Sequence, residues 1–257
     1  DIYYLKISKT KDIYVTNNHK FFSSNNGKTL EWIRIDELKV NDYIAIPNYE
    51  GSMNNEYIDI SRYITNENYD CNINKYWKLD CEFVKIIGIF MKIGNIKIID
   101  EIINGIEFKT TKENKKEIIF VQNICDKIFG IISNIQEIGN NIILNYKSYI
   151  IGYVFVKLFG TNKNEWQLPT IIFQWNKLLV KEFVNGITTD NILQTSNNKL
   201  LNQLYHLCRS RGIDVSIKKD KLKIPHKIND DKCIIINNYK CLRIDKLEKT
   251  LLKPEYV

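Results

Sequence analysis

The sequence predicts an α+β fold in which a duplicated αββαββα-type region interrupts a β-rich region of the chain. Three observations lead to this prediction. Short runs within residues 1–55 and 229–257 alternate between apolar and polar side chains, as half-buried strands do. Residues 77–228 contain longer apolar segments with helical spacing. Two of these segments carry glycines 98 residues apart, Gly88 and Gly186 (186 − 88), which indicates an internal repeat.

Composition narrows the class of protein. The 257 residues carry a net charge of +7, which suits a polyanionic partner but is weak evidence for one. No run approaches the roughly 18 apolar residues of a membrane span and no signal peptide opens the chain, so we expect an intracellular protein with no membrane partner. The six cysteines form no CxxC pair and are expected to be reduced. Three scattered histidines argue against a structural zinc site.

The first fifty residues are predicted to form strands. Residues 2–8 and 13–16 alternate on either side of a polar turn, which favours a hairpin. Residues 29–35 and 43–47 are further strands, joined by a short helical turn or loop. Asn41 lies in that loop where a left-handed residue is expected, and asparagine tolerates this conformation well.

The middle of the chain is predicted to begin after a linker. Residues 51–70 are polar and rich in asparagine, and we place the linker at 56–76. Two helical segments lie within 168–188, the first starting near Pro169, and Gly212 ends a later helix. The other predicted elements are helices at 81–93, 122–132, 148–160 and 198–213, strands at 105–111, 117–121 and 233–244, and a hairpin of 214–218 with 221–225.

Glycine inside a helix needs a reason, because it costs up to about 1 kcal/mol relative to alanine. The segment "IIGIFMKIG" contains such glycines at Gly88 and Gly94, and "EFVNGITTDN" contains one at Gly186. Small residues let two helix backbones approach closely. We therefore predict that these three glycines lie at an interface between two helices related by a pseudo-twofold axis.

These two segments resemble the paired helices of LAGLIDADG homing endonucleases. The flanking "LP" at Leu168 and "LLNQLYHLCRSRGIDVSI" are also similar to that family, and the resemblance spans Trp77 to Ile224. In the family each helix ends in an acid, and the two acids bind Mg²⁺, which activates water at the scissile phosphate. The motif places Ile93 and Asn191 at the acidic positions, with Asp190 one residue too early. The resemblance thus implies a degenerate nuclease site, with no metal or other cofactor expected here.

A second resemblance concerns the "IYVTNNHKFF" segment, which holds Thr16 and His19. Followed by "EWIRIDELKVNDYIAIP", it is similar to the splicing block of inteins and of the related Hint fold. In that family the histidine protonates the leaving amide nitrogen and the threonine helps to hold the amide. The resemblance gives these roles to His19 and Thr16, and matches Asp42 weakly to a further family position.

The two resemblances together imply a domain plan. An intein is a Hint domain that often carries an inserted LAGLIDADG nuclease, and its reactive residues lie at its two ends. We expect both reactive ends to be absent from this chain, either trimmed or supplied in trans by host flanks or complementary intein fragments. The predicted parts are a Hint segment at 1–55, a linker at 56–76, nuclease halves at about 77–145 and 146–228, and return strands at 229–257.

Basic residues after each glycine helix are predicted to contact double-stranded DNA through its phosphates. Three functions stay open from the sequence: an inactive nuclease inside part of a splicing domain, a non-catalytic scaffold that holds splicing fragments together, and a Mg²⁺-dependent endonuclease that still cuts. The predicted DNA-binding residues are Lys109, Lys112, Lys115, Lys116, Arg209, Arg211, Lys218, Lys219, Lys221 and Lys223.

Overall fold

The computed structural model describes residues 1–8, 10, 12–46, 51, 56–63, 73–224 and 233–250. The chain divides into two compact units. Unit 1 contains residues 1–49, 208–216 and 224–257, and unit 2 contains residues 50–207 and 217–223. Secondary structure is mixed, with helices and antiparallel sheets, as an α+β fold requires. Within the described residues, no helix is both long enough and apolar enough to cross a bilayer.

Unit 1 is built on one antiparallel sheet. The last strand in the sequence, residues 239–250, lies between two strands from the beginning of the chain. It pairs with one of them through Ile2↔Thr250 and with the other through Lys240↔Ile46. The strands are β1 Ile2–Ile7, β2 Ile13–Thr16, β3 Lys20–Ser24, β4 Glu31–Arg34, β5 Tyr43–Ile46, β15 Cys233–Ile236 and β16 Tyr239–Thr250. Their order in the sheet is β2-β1-β16-β5-β3-β4, and β15 also pairs with β16.

The core of unit 1 comes from the apolar side of this sheet. Leu5, Ile35 and Leu242 are fully buried in it, consistent with the alternating pattern of the sequence. Asn41 has a φ of 79°, so the prediction of a left-handed residue is confirmed. Residues 233–244, predicted as strand, do form strands, and a two-residue turn with positive φ angles divides them into the β15–β16 hairpin.

Unit 2 begins with a small sheet and a complete α-β-β-α-β-β-α run. Trp77, Phe90 and Phe155 are buried in its aromatic core. The four-stranded sheet has the order β10-β11-β9-β8. The elements are β6 Tyr57–Asp59, β7 Tyr76–Lys78, α1 Cys81–Ile93, β8 Gly94–Ile99, β9 Ile102–Thr111, α2 Lys115–Phe129, β10 Asn134–Ile138, β11 Asn141–Tyr146 and α3 Tyr149–Phe159.

The remaining elements follow a shorter pattern, α-β-α-β-β. Short 3₁₀ turns at Lys163–Glu165 and Thr170–Gln174 precede them. The predicted hairpin is present, since β13 and β14 are neighbours in a three-stranded sheet of order β12-β14-β13. The elements are α4 Lys177–Ile187, β12 Ile192–Gln194, α5 Asn198–Ser210, β13 Ser216–Lys218 and β14 Lys221–Lys223.

Several sequence predictions need correction. The strand predicted at 117–121 is wrong, because these residues lie inside α2, where the spacing of Ile118, Val121 and Cys125 buries one helical face. The predicted linker at 56–76 also contains ordered structure, since β6 pairs with β7 and buries Ile58. Strands β3, β8, β10 and β11 were not predicted. Their alternation is short, and their burial depends on partners distant in sequence.

Candidate functional site

Helices α1 and α4 pack against each other at their glycines. A Cβ atom placed on Gly88 would lie 2.2 Å from the carbonyl oxygen of Phe183 and 2.8 Å from the nitrogen of Ile187. A Cβ atom on Gly186 would lie 2.0 Å from the carbonyl oxygen of Lys85 and 3.0 Å from the nitrogen of Ile89. Each glycine thus faces the residue three before and the residue one after the opposite glycine. The two close approaches are therefore reciprocal.

The third predicted interface glycine lies elsewhere. Gly94 ends α1 and begins β8, and a Cβ atom on it would meet the ring and the carbonyl oxygen of Phe90 in its own helix. The prediction that Gly94 lies at the helix interface is therefore corrected. Its small size makes room for Phe90, which stacks on the buried ring of Trp166.

Caps fix the starts of both helices. The Asp80 carboxylate accepts a hydrogen bond from the backbone N–H of Phe83 at 3.0 Å at the start of α1. The Asn176 side chain accepts one from the N–H of Leu179 at 3.0 Å at the start of α4. Such side-chain caps satisfy N–H groups that have no partner inside the helix.

The end of α4 differs from the sequence prediction. The helix ends at Ile187, and Thr189 and Ile192 then exchange two backbone hydrogen bonds of 2.9 Å. Asp190 and Asn191 form the turn between them, with φ angles of 50° and 62°. Neither residue is helical, although the motif match had placed both of them on the helix. Asp190 is exposed at the tip of this turn.

The end of α1 has Ile93 at the position matched to an acid, and a lysine from elsewhere in the chain contacts it. Ile93 is the last helical residue and is half-buried. The Lys163 ammonium donates hydrogen bonds to the carbonyl oxygens of the two flanking residues, Lys92 at 3.1 Å and Gly94 at 2.8 Å. It also lies 5.4 Å from the ring centroid of Trp166. Burial lowers the pKa of Lys163 from its ordinary value.

These helix ends do not fit a divalent metal. Hard cations such as Mg²⁺ need carboxylate or other oxygen ligands, and the Ile93 side chain has no oxygen. The carbonyl oxygens on either side of Ile93 already accept hydrogen bonds from the Lys163 ammonium. Across the ranges that the structure describes, no three histidine, cysteine, aspartate or glutamate side chains are close enough to hold a metal ion.

A cavity of about 210 Å³ lies beside both helix ends. Its lining includes Lys92 and Lys163 near the end of α1, Ile187 at the end of α4, and the amide side chains of Gln194 and Asn197. Lys92 is paired with Glu117 at 2.7 Å. The polar part of the lining is therefore two ammonium groups, three amides (with Asn164) and two hydroxyls, with no carboxylate among them, a set suited to polar or anionic groups rather than to cations.

One face of the four-stranded sheet is open and rich in amides. Phe108 and Leu144 are paired and buried, which identifies the covered face, because directly paired residues of an antiparallel sheet share a face. Asparagine and lysine side chains are among those that read base edges in the DNA major groove. Asn145 has the same register but is only 3% exposed and accepts a hydrogen bond from the Lys97 ammonium at 3.4 Å. The open face carries Asn95, Lys97, Glu107, Lys109, Thr111, Asn134, Gln136, Ile138, Asn141 and Ile143.

The sequence prediction missed most of this face because it missed three of the four strands. Only Lys109 among these residues had been proposed to bind DNA. The segment around Gly139 and Asn140 carried a usable signal, since a Gly-Asn pair between alternating residues is typical of a hairpin. Gly139 has a positive φ of 56°, as a tight turn requires.

The predicted DNA-binding cations of this region have different environments. Lys109 is exposed on the open face. Lys112 and Lys115 both pair with Glu137, at 2.9 Å and 3.0 Å. Glu137 is paired with Ile142, which is buried on the covered face, and hydrogen bonds from the two lysines lower its pKa. Lys116 is exposed in α2.

Two of the DNA-binding residues predicted in the second half of the domain need correction. Arg209 and Arg211 are 8% and 2% exposed, so they are not surface contacts for phosphates. Arg209 pairs with the buried Asp214 at 3.2 Å, and Lys240 contacts the same carboxylate. The exposed members of the group lie on β13, β14 and the turn between them, namely Lys218, Lys219, Lys221 and Lys223.

The Thr-x-x-His segment forms a tight connection between β2 and β3. The His19 N–H donates to the Thr16 carbonyl oxygen at 3.0 Å, and the Thr16 hydroxyl donates to the Asn18 side chain at 2.6 Å. The His19 ring lies 4.8 Å from the ring of Phe21, and His19 is exposed. The carboxylate of Asp42 accepts a hydrogen bond from a backbone N–H three residues earlier, at 2.8 Å, which is a turn-forming role.

Comparison with known proteins gives a weak likeness. The sequence matches no family model and no curated protein. Among solved structures, the chain is similar to a double variant of I-DmoI in complex with nicked target DNA and manganese, with 14% identity and a TM-score of 0.41 over 65% of this chain and 89% of that one. The chain is similar to the same extent to mesophilic variants of the homing endonuclease I-DmoI, with 15% identity and a TM-score of 0.40 over 65% of this chain and 89% of that one. Another I-DmoI variant with target DNA and manganese gives 15% identity and a TM-score of 0.40 over 65% of this chain and 87% of that one.

Proposed function

We propose that residues 77–228 are a DNA-binding domain of the LAGLIDADG homing endonuclease type that does not cleave DNA. The observation that carries this proposal is the reciprocal contact of Gly88 and Gly186 between α1 and α4. In the resembling family this helix pair brings two acids together. Here Ile93 ends one helix, and the residue matched to the second acid, Asn191, lies in a turn beyond the other.

The open face of the four-stranded sheet supports DNA as the partner. Its amides can pair with adenine edges, and Lys97 and Lys109 can contact guanine or phosphate. Part of its charge is internally balanced, since Lys97 lies 3.9 Å from Glu107. The exposed lysines of β13 and β14 add phosphate-binding capacity in the second half.

The topology of unit 1 supports the insertion plan. Strand β16 hydrogen-bonds to β1 and to β5, so residues 239–250 complete a sheet that residues 2–46 begin. All of unit 2 lies in the sequence between these partners. We propose that residues 1–55 and 229–257 form one host domain and that the region between them was inserted.

The DNA proposal is tested with matched lysine variants. Binding of the full chain to duplexes selected from a random pool is measured by fluorescence anisotropy between about 50 and 200 mM salt. Lys109→Ala should weaken binding and reduce the slope of log K against log salt by about 0.9, the value expected for one lost phosphate contact. Lys157→Ala is the control, because Lys157 is exposed on α3 and does not lie on the open face of the sheet, and the slope should not change.

The same samples separate the alternatives. The chain should bind DNA and leave a supercoiled plasmid intact with and without Mg²⁺. Mg²⁺-dependent cutting would favour the active-endonuclease alternative. Absence of binding at low salt would reject the DNA proposal and favour the scaffold that holds splicing fragments.

The splicing role of Thr16 and His19 stays a prediction from the sequence. Its support in the geometry is local: the 3.0 Å backbone hydrogen bond of the turn holds the two residues on the same exposed connection. In this proposal His19 protonates the leaving amide nitrogen and Thr16 helps to orient that amide, once host flanks or complementary fragments supply the reactive ends.

A further inference from the structure

The end of α1 shows a feature that the loss of an acid does not by itself require. The Lys163 ammonium lies on the two carbonyl oxygens that flank Ile93, at 3.1 Å and 2.8 Å. We propose that Lys163 is a built-in substitute for a divalent cation, and that its fixed positive charge closes this end of the helix pair to metal ions. This inference rests on the proposed relation of the helix pair to LAGLIDADG nucleases.

Three observations distinguish this arrangement from an ordinary lysine near a helix end. Lys163 is 70 residues from Ile93 (163 − 93), so the contact is tertiary and not a local cap. The ammonium donates to two carbonyls and lies over the Trp166 ring, whose exposure is only 2%. It also lines the cavity beside the ends of both α1 and α4.

The neighbouring charges are consistent with a fixed cation. Lys92 in the same cavity is paired with Glu117 at 2.7 Å. The Lys163 ammonium instead contacts the two backbone carbonyls and the indole ring of Trp166. The carbonyls at a helix C-terminus carry partial negative charge and favour a cation. Burial nevertheless lowers the Lys163 pKa, and the two carbonyl hydrogen bonds oppose that desolvation.

Thermal unfolding of the full chain in Mn²⁺ or in EDTA tests the proposal without DNA. The wild-type Tm should be the same in both. Lys163→Met should lower the Tm by about 2–4 °C, because two helix-end carbonyls lose their cation. Lys163→Arg should restore part of this loss. Lys157→Met is the control, since Lys157 also lies over an aromatic ring, 5.1 Å from the Tyr153 centroid, but is exposed.

Adding an acid tests whether the lysine excludes metal. Ile93→Asp alone should show no Mn²⁺-dependent Tm shift, because the new carboxylate would pair with Lys163. The Ile93→Asp, Lys163→Met double variant should gain such a shift. Three results would overturn the proposal: a Mn²⁺ shift in the wild type, an equal shift in Ile93→Asp alone, or a folded double variant without one. If the double variant does not fold, the comparison of Lys163→Met with Lys157→Met decides, and equal losses reject the proposal.

Because no readout here involves DNA, a failure of DNA binding would leave this result unaffected. Conversely, a Mn²⁺ shift in the wild type would reject the lysine proposal without touching the evidence for DNA binding.

Discussion

Replacing Gly88 by alanine tests the close packing of α1 and α4. The added Cβ would lie 2.2 Å from the Phe183 carbonyl oxygen, whereas real Cβ atoms essentially never approach closer than 3.0 Å. The obstructing atoms belong to the backbone of α4, so rotation of a side chain cannot relieve the contact. The two helices must move apart by about 1 Å.

The size of the effect follows from two opposing contributions. Alanine favours the helix over glycine by about 1 kcal/mol. Against this, a gap of about 1 Å forfeits up to half of each dispersion contact across the interface, and overpacking of this kind costs about 3 kcal/mol. The net loss should be about 2 kcal/mol, which corresponds to a fall in Tm of roughly 4–8 °C for a chain of this size.

Urea unfolding followed by circular dichroism measures this loss as a lower midpoint at an unchanged m value. Asn185→Ala in α4 is the matched control, because Asn185 is exposed and precedes Gly186 directly; it should be neutral or slightly stabilising. The Gly88→Ala, Gly186→Ala double variant should lose less than the sum of the single losses, since one separation relieves both clashes. A Gly88→Ala protein as stable as the wild type would refute the reasoning.

Three further predictions use other sites. Asp80→Ala should cost about 1 kcal/mol in urea unfolding, because the Phe83 N–H loses its cap at the start of α1. Cys125 and Cys208 are buried, and burial raises the pKa of both thiols, to about 12 for Cys208; a thiol reagent at pH 8 should label them only after unfolding, and labelling of the native protein would contradict their burial. In a chain joined to flanks that supply an upstream cysteine, His19→Ala should slow thiol-induced cleavage at that cysteine by about 100-fold or more, and an unchanged rate would remove its assigned role.

The helix pair was predictable because its signal is local: a glycine inside an apolar helical segment, which destabilises the helix relative to alanine. Two glycines inside apolar helical segments are hard to explain without close contact, and the helix predicted at 81–93 agrees with α1. The left-handed Asn41 was predictable for a similar reason, since its conformation depends on its own side chain. Strands within residues 1–50 followed from alternation, apart from β3.

The chemistry at the helix ends could not be obtained in this way. The spacing from Gly186 placed Asn191 on a helix, but α4 stops at Ile187 because Thr189 and Ile192 pair in a tight hairpin. Lys163 carried no signal, since its two carbonyl partners lie about seventy residues earlier in the chain. Arg209 and Arg211 counted as surface cations in the sequence, yet both are buried, and Arg209 pairs with the buried Asp214 just beyond the end of α5.

The sequence by itself thus determined most strands within residues 1–46, the helices that became α1, α3 and α5, and the fact that Gly88 and Gly186 allow two helices to touch. Local conformational preferences and periodicity are sufficient for that, because they act within a few turns or strands. Only the tertiary structure decided where α4 ends, which lysine lies on the carbonyls of α1, and which amides share the open face of the sheet. Those outcomes depend on contacts between residues far apart in the sequence, where burial and hydrogen-bond partners are set by the packed fold.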